Sequence, residues 1–172
     1  MRPSLIHAQN QMNMLQISTI IGAANFLIFG ILNHYAHNYL NAYVETGLAF
    51  ALLINVAIGI HFNMLRQTSS VGLFLMIIAL LFLLKTGGIA GTGIFWFYTF
   101  PPLALFLKGK YTGWVWLGIL LAATLIIMLL QSGGHYSTPY STVVIRQMLA
   151  SLLATAALIH FYQSIVEHQQ LN

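Results

Sequence analysis

Long apolar runs separated by short polar stretches dominate the chain. Five of these runs have the length of a membrane-spanning helix, and a sixth, residues 71–85, is short unless Ser69, Ser70 and a snorkelling Lys85 extend it. Such a helix needs about 20 predominantly apolar residues, within a range of roughly 17–25. The runs lack the regular alternation of apolar and polar residues that is typical of a transmembrane strand. We therefore predict helices over residues 14–33, 40–61, 71–85, 89–107, 111–131 and 142–166.

The composition supports the same fold class. Hydrophobic residues make up 59% of the 172 residues and charged residues only 5%, whereas a soluble domain carries about 25% charged residues. So few charges cannot cover a surface that faces water, and helices satisfy the backbone hydrogen bonds in lipid. We predict an all-α integral membrane protein, a bundle of six transmembrane helices in which short connections make consecutive helices antiparallel neighbours.

The loop cations predict the orientation of this bundle. With six spans both termini lie on one side of the membrane, and loops on the cytoplasmic side carry an excess of Lys and Arg. Two cations, Lys85 and Arg146, fall on the side opposite the termini. Because the other four fall on the side of the termini, we predict that both termini are cytoplasmic. These four are Arg2, Arg66, Lys108 and Lys110.

Three charged residues lie near the outer ends of predicted helices: Glu45, Lys85 and Arg146. A charge inside an apolar span is by default a hypothesis about function, and its partner should be named. Glu45 can neutralise one of the two cations, which leaves a positive charge for a polar or anionic ligand from outside. Alternatively, Glu45 and Arg146 form a structural pair while Lys85 extends to the lipid headgroups. The sequence leaves both interpretations open.

The fourth predicted helix carries small, polar and aromatic residues at helical spacing. Gly88, Thr92, Trp96 and Thr99 would share one face of an α-helix. Such a face can line a ligand cavity, or it can form a close helix contact through its small residues. Trp96 lies deep in the predicted span, where its indole N–H needs a partner.

Pro101 and Pro102 follow in the same predicted helix. Each proline lacks an N–H, and its ring crowds the preceding turn. The carbonyls of Phe97 and Tyr98 therefore lose their usual donors, and we expect a kink or break. That break is either a fixed feature of the architecture or a hinge that moves.

The histidines provide weak candidates for metal or haem binding. His34, His37 and His135 fall on the outer side, and His61 and His160 lie toward the inner ends of their helices. No cysteine or carboxylate accompanies them in a metal-ligand pattern, and two histidines alone are weak evidence for haem. We expect hydrogen-bonded or interfacial histidines, no metal and no cofactor. No catalytic constellation or nucleic-acid motif is found either, so we expect that the chain is not an enzyme.

The segment TGGIAGTGIFWFYTFPPLALFLKGKYTG, residues 86–113, resembles a signature of bacterial membrane-associated sensor domains. These MASE-type domains precede diguanylate cyclase (GGDEF) domains and some histidine kinases. The segment shares with them a TGG turn, a TG pair, a tryptophan, a Phe-Pro pair and a closing Gly-basic-x-x-Gly turn. The matching positions are Thr86, Gly87, Gly88, Thr92, Gly93, Trp96, Phe100, Pro101, Gly109 and Gly113.

Two further spans are similar to that family: the second has a glutamate ahead of a leucine-rich run, and the sixth opens at an arginine and leaves through HFYQSIVEHQQ. The resemblance implies signal perception in the inner membrane of a bacterium. Together with the charge and glycine patterns, it suggests a ligand site at Glu45, Lys85, Gly88, Thr92, Trp96 and Arg146. The hinge would be Pro101–Pro102, and the signal would leave through Phe161, Tyr162 and Glu167.

The predicted organisation is a sensor-like domain over residues 1–166 and the start of a cytoplasmic signalling linker over residues 167–172. The resemblance implies three partners besides the lipid bilayer: an unknown small molecule, a cytoplasmic output domain or partner protein, and a second copy of the chain in a homodimer. No output domain follows within this sequence. A small transporter or channel, or a non-catalytic subunit of a membrane complex, remains the alternative.

Overall fold

A computed structural model describes the backbone of residues 3–170 and the side chains of residues 12–166. In this part of the chain every regular element is a helix, so the predicted all-α class is confirmed. The elements in chain order are α1 (Pro3–Tyr35), α2 (Tyr39–His61), α3 (Leu65–Thr86), a 3-10 helix (Ile89–Thr99), α4 (Phe100–Ser132) and α5 (Thr142–Gln170).

Five helical segments of the described residues are long and apolar enough to cross a membrane. Large apolar side chains are exposed on several of them; Leu158, for example, is 71% exposed. Apolar surface on this scale is typical of proteins whose surroundings are apolar too. The structure is therefore that of a helical membrane protein. The five segments are Met12–Tyr35, Tyr39–His61, Leu65–Thr86, Ile89–Ser132 and Thr142–Val166.

The segment Ile89–Ser132 contains the fourth and fifth predicted spans, and it reverses direction in the middle. Gly109 has φ 74° and ψ 175°, which is not a helical conformation. A Cβ atom on Gly113 would lie 2.8 Å from the Cα of Leu105. In an uninterrupted α-helix two residues eight positions apart are separated by about 12 Å along the axis. The chain therefore folds back on itself at Gly109.

The structure contains two compact units, and the first, Met1–Ala79, is built on the packing of α1 against α2. Gly30 allows these helices to approach closely, since a Cβ there would lie 2.6 Å from Thr46 Oγ1. The first part of α3 is joined to α2 by a polar contact in which Asn55 Nδ2 donates to the carbonyl of Thr68 at 2.9 Å.

The second unit, Leu80–Asn172, contains the end of α3, the 3-10 helix, α4 and α5. Here α5 packs against α4 and against the 3-10 helix. Phe97 and Phe100, at the junction of the 3-10 helix and α4, are completely buried. The change from the 3-10 helix to α4 therefore lies in the core of this unit.

The prolines lie at this change of helix type, whereas the sequence predicts an α-helix that runs through them. Pro101 and Pro102 occupy the first turn of α4, where the missing N–H groups remove no helical hydrogen bond. The carbonyl of Phe97, whose usual donor would be the N–H of residue 101, accepts from the N–H of Phe100 instead. The expected break is thus a junction between two helices, and whether it moves stays a prediction.

Candidate functional site

The segment between α3 and the 3-10 helix has an unusual backbone. Gly87, Gly88, Ala90 and Gly91 all have positive φ, between 52° and 83°. Glycine adopts this left-handed region freely, but an alanine there costs roughly 1–2 kcal/mol. A segment of this kind keeps one conformation only if the surrounding structure holds it.

The hydroxyl group of Tyr140 provides that support. It accepts a hydrogen bond from the N–H of Ile94 and lies 3.0 Å from the carbonyl oxygens of both Gly87 and Gly91. A phenol has one proton, so the two carbonyls share it or receive it in turn. Tyr140 is only 8% exposed, and its hydroxyl satisfies backbone groups that the irregular chain leaves without helical partners.

Tyr140 is itself held by the residues around it in the loop between α4 and α5. Gln131 Nε2 donates to the carbonyl of Tyr140 at 2.7 Å, and Thr138 Oγ1 donates to Gln131 Oε1 at 2.7 Å. Pro139 lies against Gly87, where an added Cβ would be 2.8 Å from the proline ring. The loop and the left-handed segment therefore form one hydrogen-bonded cluster.

Lys85, at the end of α3, contacts the same loop. Its exposed ammonium group donates to the carbonyl of Ser137 at 2.9 Å and lies 4.1 Å from the centre of the Tyr136 ring. Cations are attracted to the face of an aromatic ring at this distance. Lys85 thus links the loop to the end of α3, in addition to the contacts between the loop and the left-handed segment.

The predicted stripe on the fourth helix is not kept, because the segment from Ile89 is a 3-10 helix. With three residues per turn, residues four apart are rotated by about 120° and no longer share a face. Thr92 is exposed, and its hydroxyl donates to the carbonyl of Ile89. Trp96 is half-buried, as is Gly88, which lies before the first residue of this helix.

The remaining candidates lie in different units. Arg146 is in the second unit, exposed on α5, with Nε donating to the carbonyl of Thr142 at 3.4 Å. Glu45 is in the first unit and only 2% exposed; its Oε2 accepts from Asn33 Nδ2 at 2.8 Å. The Glu45–Arg146 pair and a common ligand pocket remain predictions.

The predicted output residues lie toward the end of α5. Phe161 and Tyr162 are about two-thirds exposed, while the side chain of Glu167 lies outside the described residues. On the same helix, His160 makes a contact that the sequence did not predict: Trp114 Nε1 donates to His160 Nδ1 at 3.1 Å. This bond requires that Nδ1 of His160 carry no proton.

The other histidines contact aromatic rings. His37 Nδ1 lies 2.9 Å from the hydroxyl of Tyr39, and the His34 ring packs edge-to-face on the same tyrosine. His61 packs on the ring of Phe62. Among the described residues, no group of three or more His, Cys, Asp or Glu side chains is placed to hold a metal ion.

Sequence reasoning missed Tyr140 and Asn33. Tyr140 follows a proline in a loop rich in glycine and serine, which is an ordinary composition for a loop. Nothing in the sequence pattern links it to Gly87 and Gly91, some 50 positions earlier. Asn33 ends the first predicted span and reads as a boundary residue. Its signal was available in part, since a carboxylate in an apolar helix requires a polar partner.

The ionisation of Tyr140 should make stability fall at high pH. Burial raises the pKa of this phenol above its ordinary value of 10.0, although backbone hydrogen bonds from Ile94 and Gly93 act in the opposite direction. The stabilisation is therefore complete below pH 10 and is lost as pH rises through the higher pKa of the folded state. We expect the unfolding temperature to fall more steeply above pH 10 in the wild type than in Tyr140→Phe. Equal slopes would contradict this expectation.

The chain was compared with protein-family models, with curated proteins and with solved structures, and none of the three comparisons finds a match.

Proposed function

We propose that this chain is a sensor and signal-transducing module of a bacterial inner membrane. In this proposal a small molecule binds in the outer half of the helix bundle, and the resulting change passes along α5 to a cytoplasmic output domain or partner protein. The resemblance of residues 86–113 to membrane-associated sensor domains supports the class. The five long apolar helices support the location in a membrane.

We further propose that the chain crosses the membrane six times, with both termini in the cytoplasm. The segment Ile89–Ser132 has 44 residues, which as one helix would extend roughly 66 Å, about twice the hydrocarbon thickness of a bilayer. The reversal at Gly109 supports two spans in its place. Lys108 and Lys110 flank this turn, and clustered cations favour the cytoplasmic side.

The observation that carries the sensor proposal is the contact between Tyr140 and the left-handed segment. Tyr140 precedes the first residue of α5 by two positions, so whatever changes its contacts also changes how α5 begins. One phenolic proton and two carbonyl acceptors at equal distance provide two alternative arrangements. A ligand that contacts Lys85, Gly88 or Thr92 would shift the balance by its difference in affinity for the two arrangements.

α5 provides the path to the opposite side of the membrane. Its 29 residues extend roughly 44 Å as one helix, and its buried positions keep it packed within the second unit. Phe161 and Tyr162 are exposed at the far end, where an output domain or the second copy of a homodimer would contact them. Glu167 follows on the same helix.

The coupling can be measured with a spin label, because the chain contains no cysteine. We would place one label at Tyr162→Cys in the full chain in lipid nanodiscs and record its mobility. Tyr140→Phe should change the spectrum at this distant position. Tyr136→Phe is the matched control, since it also removes a loop phenol but keeps the ring that contacts Lys85. Identical spectra in all three proteins would contradict transmission along α5.

The signalling role itself can be tested by fusing a diguanylate cyclase domain after the last residue. We expect Tyr140→Phe to change the rate of cyclic dinucleotide formation and Tyr136→Phe to match the wild type. A fusion whose activity is insensitive to both substitutions and to Trp96→Ala would argue against a sensor. Solute flux into liposomes that contain only this chain would instead favour a transporter.

A further inference from the structure

We propose that Glu45, Asn33 and Asn41 form a binding site for one monovalent cation. The site lies in the α1–α2 pair, near the turn that joins the two helices. All three residues belong to the first unit, whereas the transmission path belongs to the second. The cation site therefore stands or fails independently of the sensor proposal.

Each of the three side chains is buried and has few hydrogen-bond partners among the described residues. Each is only 2% exposed. Glu45 Oε2 and Asn33 Nδ2 are 2.8 Å apart across the two helices. Asn41 precedes Glu45 by one helical turn and so lies on the same face of α2, and its side chain makes no hydrogen bond to any residue in the described part of the chain. A buried amide without a partner leaves an oxygen available to a ligand.

The charge of the site determines the class of ligand. A buried carboxylate is stable only when its charge is paired or neutralised. Among the side chains that the structure describes in the first unit, no cation pairs with Glu45, and Arg66, at the start of α3, is at the other end of α2. One monovalent cation neutralises one carboxylate, whereas a divalent ion would leave a net positive charge in an apolar span.

The donor atoms suit such an ion. Carboxylate and amide oxygens are the ligands that hard cations prefer. The assignment of nitrogen and oxygen in an amide follows from its hydrogen bonds, so a rotation of the Asn33 amide by half a turn replaces its N–H donor with an oxygen ligand. Gly30, one turn before Asn33, keeps the helices close enough for ligands from both to reach one ion.

A proton and an alkali-metal ion share this chemistry, because each brings one positive charge to the carboxylate. A proton would bind to one oxygen of Glu45 and form an O–H group that donates to an amide oxygen. An alkali-metal ion would be bound by several oxygens at once. The titratable side chains next to the site are exposed, which leaves Glu45 as the buried group that takes the charge. They lie on α1, on α2 and in the turn between them: His34, Tyr35, His37, Tyr39 and Tyr43.

The test uses the full chain in lipid nanodiscs and two measurements. The first is the binding of radiolabelled sodium at fixed pH, and the second is the infrared band of a protonated carboxyl group in sodium-free buffer at varied pH. The chain has only two acidic side chains, so the band is easily assigned. We expect sodium binding or a protonated carboxyl band in the wild type, its loss in Glu45→Gln and its retention in the matched control Glu167→Gln.

Asn41→Ala provides a second variant that keeps the carboxylate if Glu45→Gln does not fold. We expect it to weaken sodium binding about tenfold or more, or to shift the pH at which the carboxyl band disappears. The proposal is overturned if the wild type binds no sodium and shows no band from Glu45 at any pH. Glu45 would then be ionised at every pH and would hold neither ion.

Discussion

Gly113→Ala should destabilise the folded state by about 1–3 kcal/mol, the usual effect of inserting a methyl group into closely packed surroundings. The new Cβ would lie 2.8 Å from the Cα of Leu105 and 2.9 Å from the carbonyl oxygen of Ala104. Both are backbone atoms, which cannot rotate away as a side chain can. The two arms of the hairpin at Gly109 would have to separate to accommodate the methyl group.

The matched control is Gly118→Ala in the same helix, where a Cβ would meet no atom within 4 Å. That substitution should leave stability unchanged or raise it by about 0.5–1 kcal/mol, because alanine is the better helix former. Unfolding in detergent micelles at increasing temperature measures both variants. If both glycines tolerate alanine equally, the chain does not fold back tightly at Gly109.

Most of the helical framework could be predicted from apolar run length alone. The second predicted span, 40–61, differs from α2 by one residue, and the sixth begins at the first residue of α5. The third begins six residues too late. Its missing turns are polar, but Ser69 and Ser70 donate to the carbonyl of Arg66 within the helix. Local hydrogen bonds of this kind allow polar residues to continue a helix beyond the boundary that hydropathy alone predicts.

The 3-10 helix could not be predicted in this way. The run over residues 89–107 is as apolar as the others, and hydropathy does not distinguish one helix type from another. The decisive features are the positive φ angles at the glycines and at Ala90. Three of these four residues are glycines, so the sequence permits such a conformation but does not require it. The hydrogen bonds that Tyr140 makes to this segment come from a distant part of the chain.

The partner of Glu45 was missed for a related reason. Sequence reasoning matched the carboxylate with the nearest opposite charges and considered Arg146 and Lys85. In the structure the hydrogen bond comes from a neutral amide, Asn33, which lies on the preceding helix. That contact depends on the register between α1 and α2. Gly30 approaches Thr46 closely in this register, and no periodicity in either helix predicts it.

Tyr140→Phe should be the most damaging conservative substitution in the second unit. It keeps the ring and its packing but removes the acceptor for the N–H of Ile94 and the donor to Gly87 and Gly91. A buried polar group left without a partner costs about 1–3 kcal/mol. More than one backbone group is affected, and the strain of the positive φ at Ala90 is no longer opposed. We therefore expect a loss of stability near the upper end of that range.

Tyr136→Phe serves as the control, because it removes a phenol from the same loop while the ring remains below Lys85. It should change stability by less than about 0.5 kcal/mol, as surface substitutions usually do. Hydrogen exchange of the Ile94 amide offers a local measurement: this N–H should lose protection in Tyr140→Phe and keep it in Tyr136→Phe. Equal protection in both variants would mean that the left-handed segment holds its conformation without Tyr140. The loop would then not act on the segment through the Tyr140 hydroxyl, so the same measurement tests the stability of the segment and the first step of the proposed transmission.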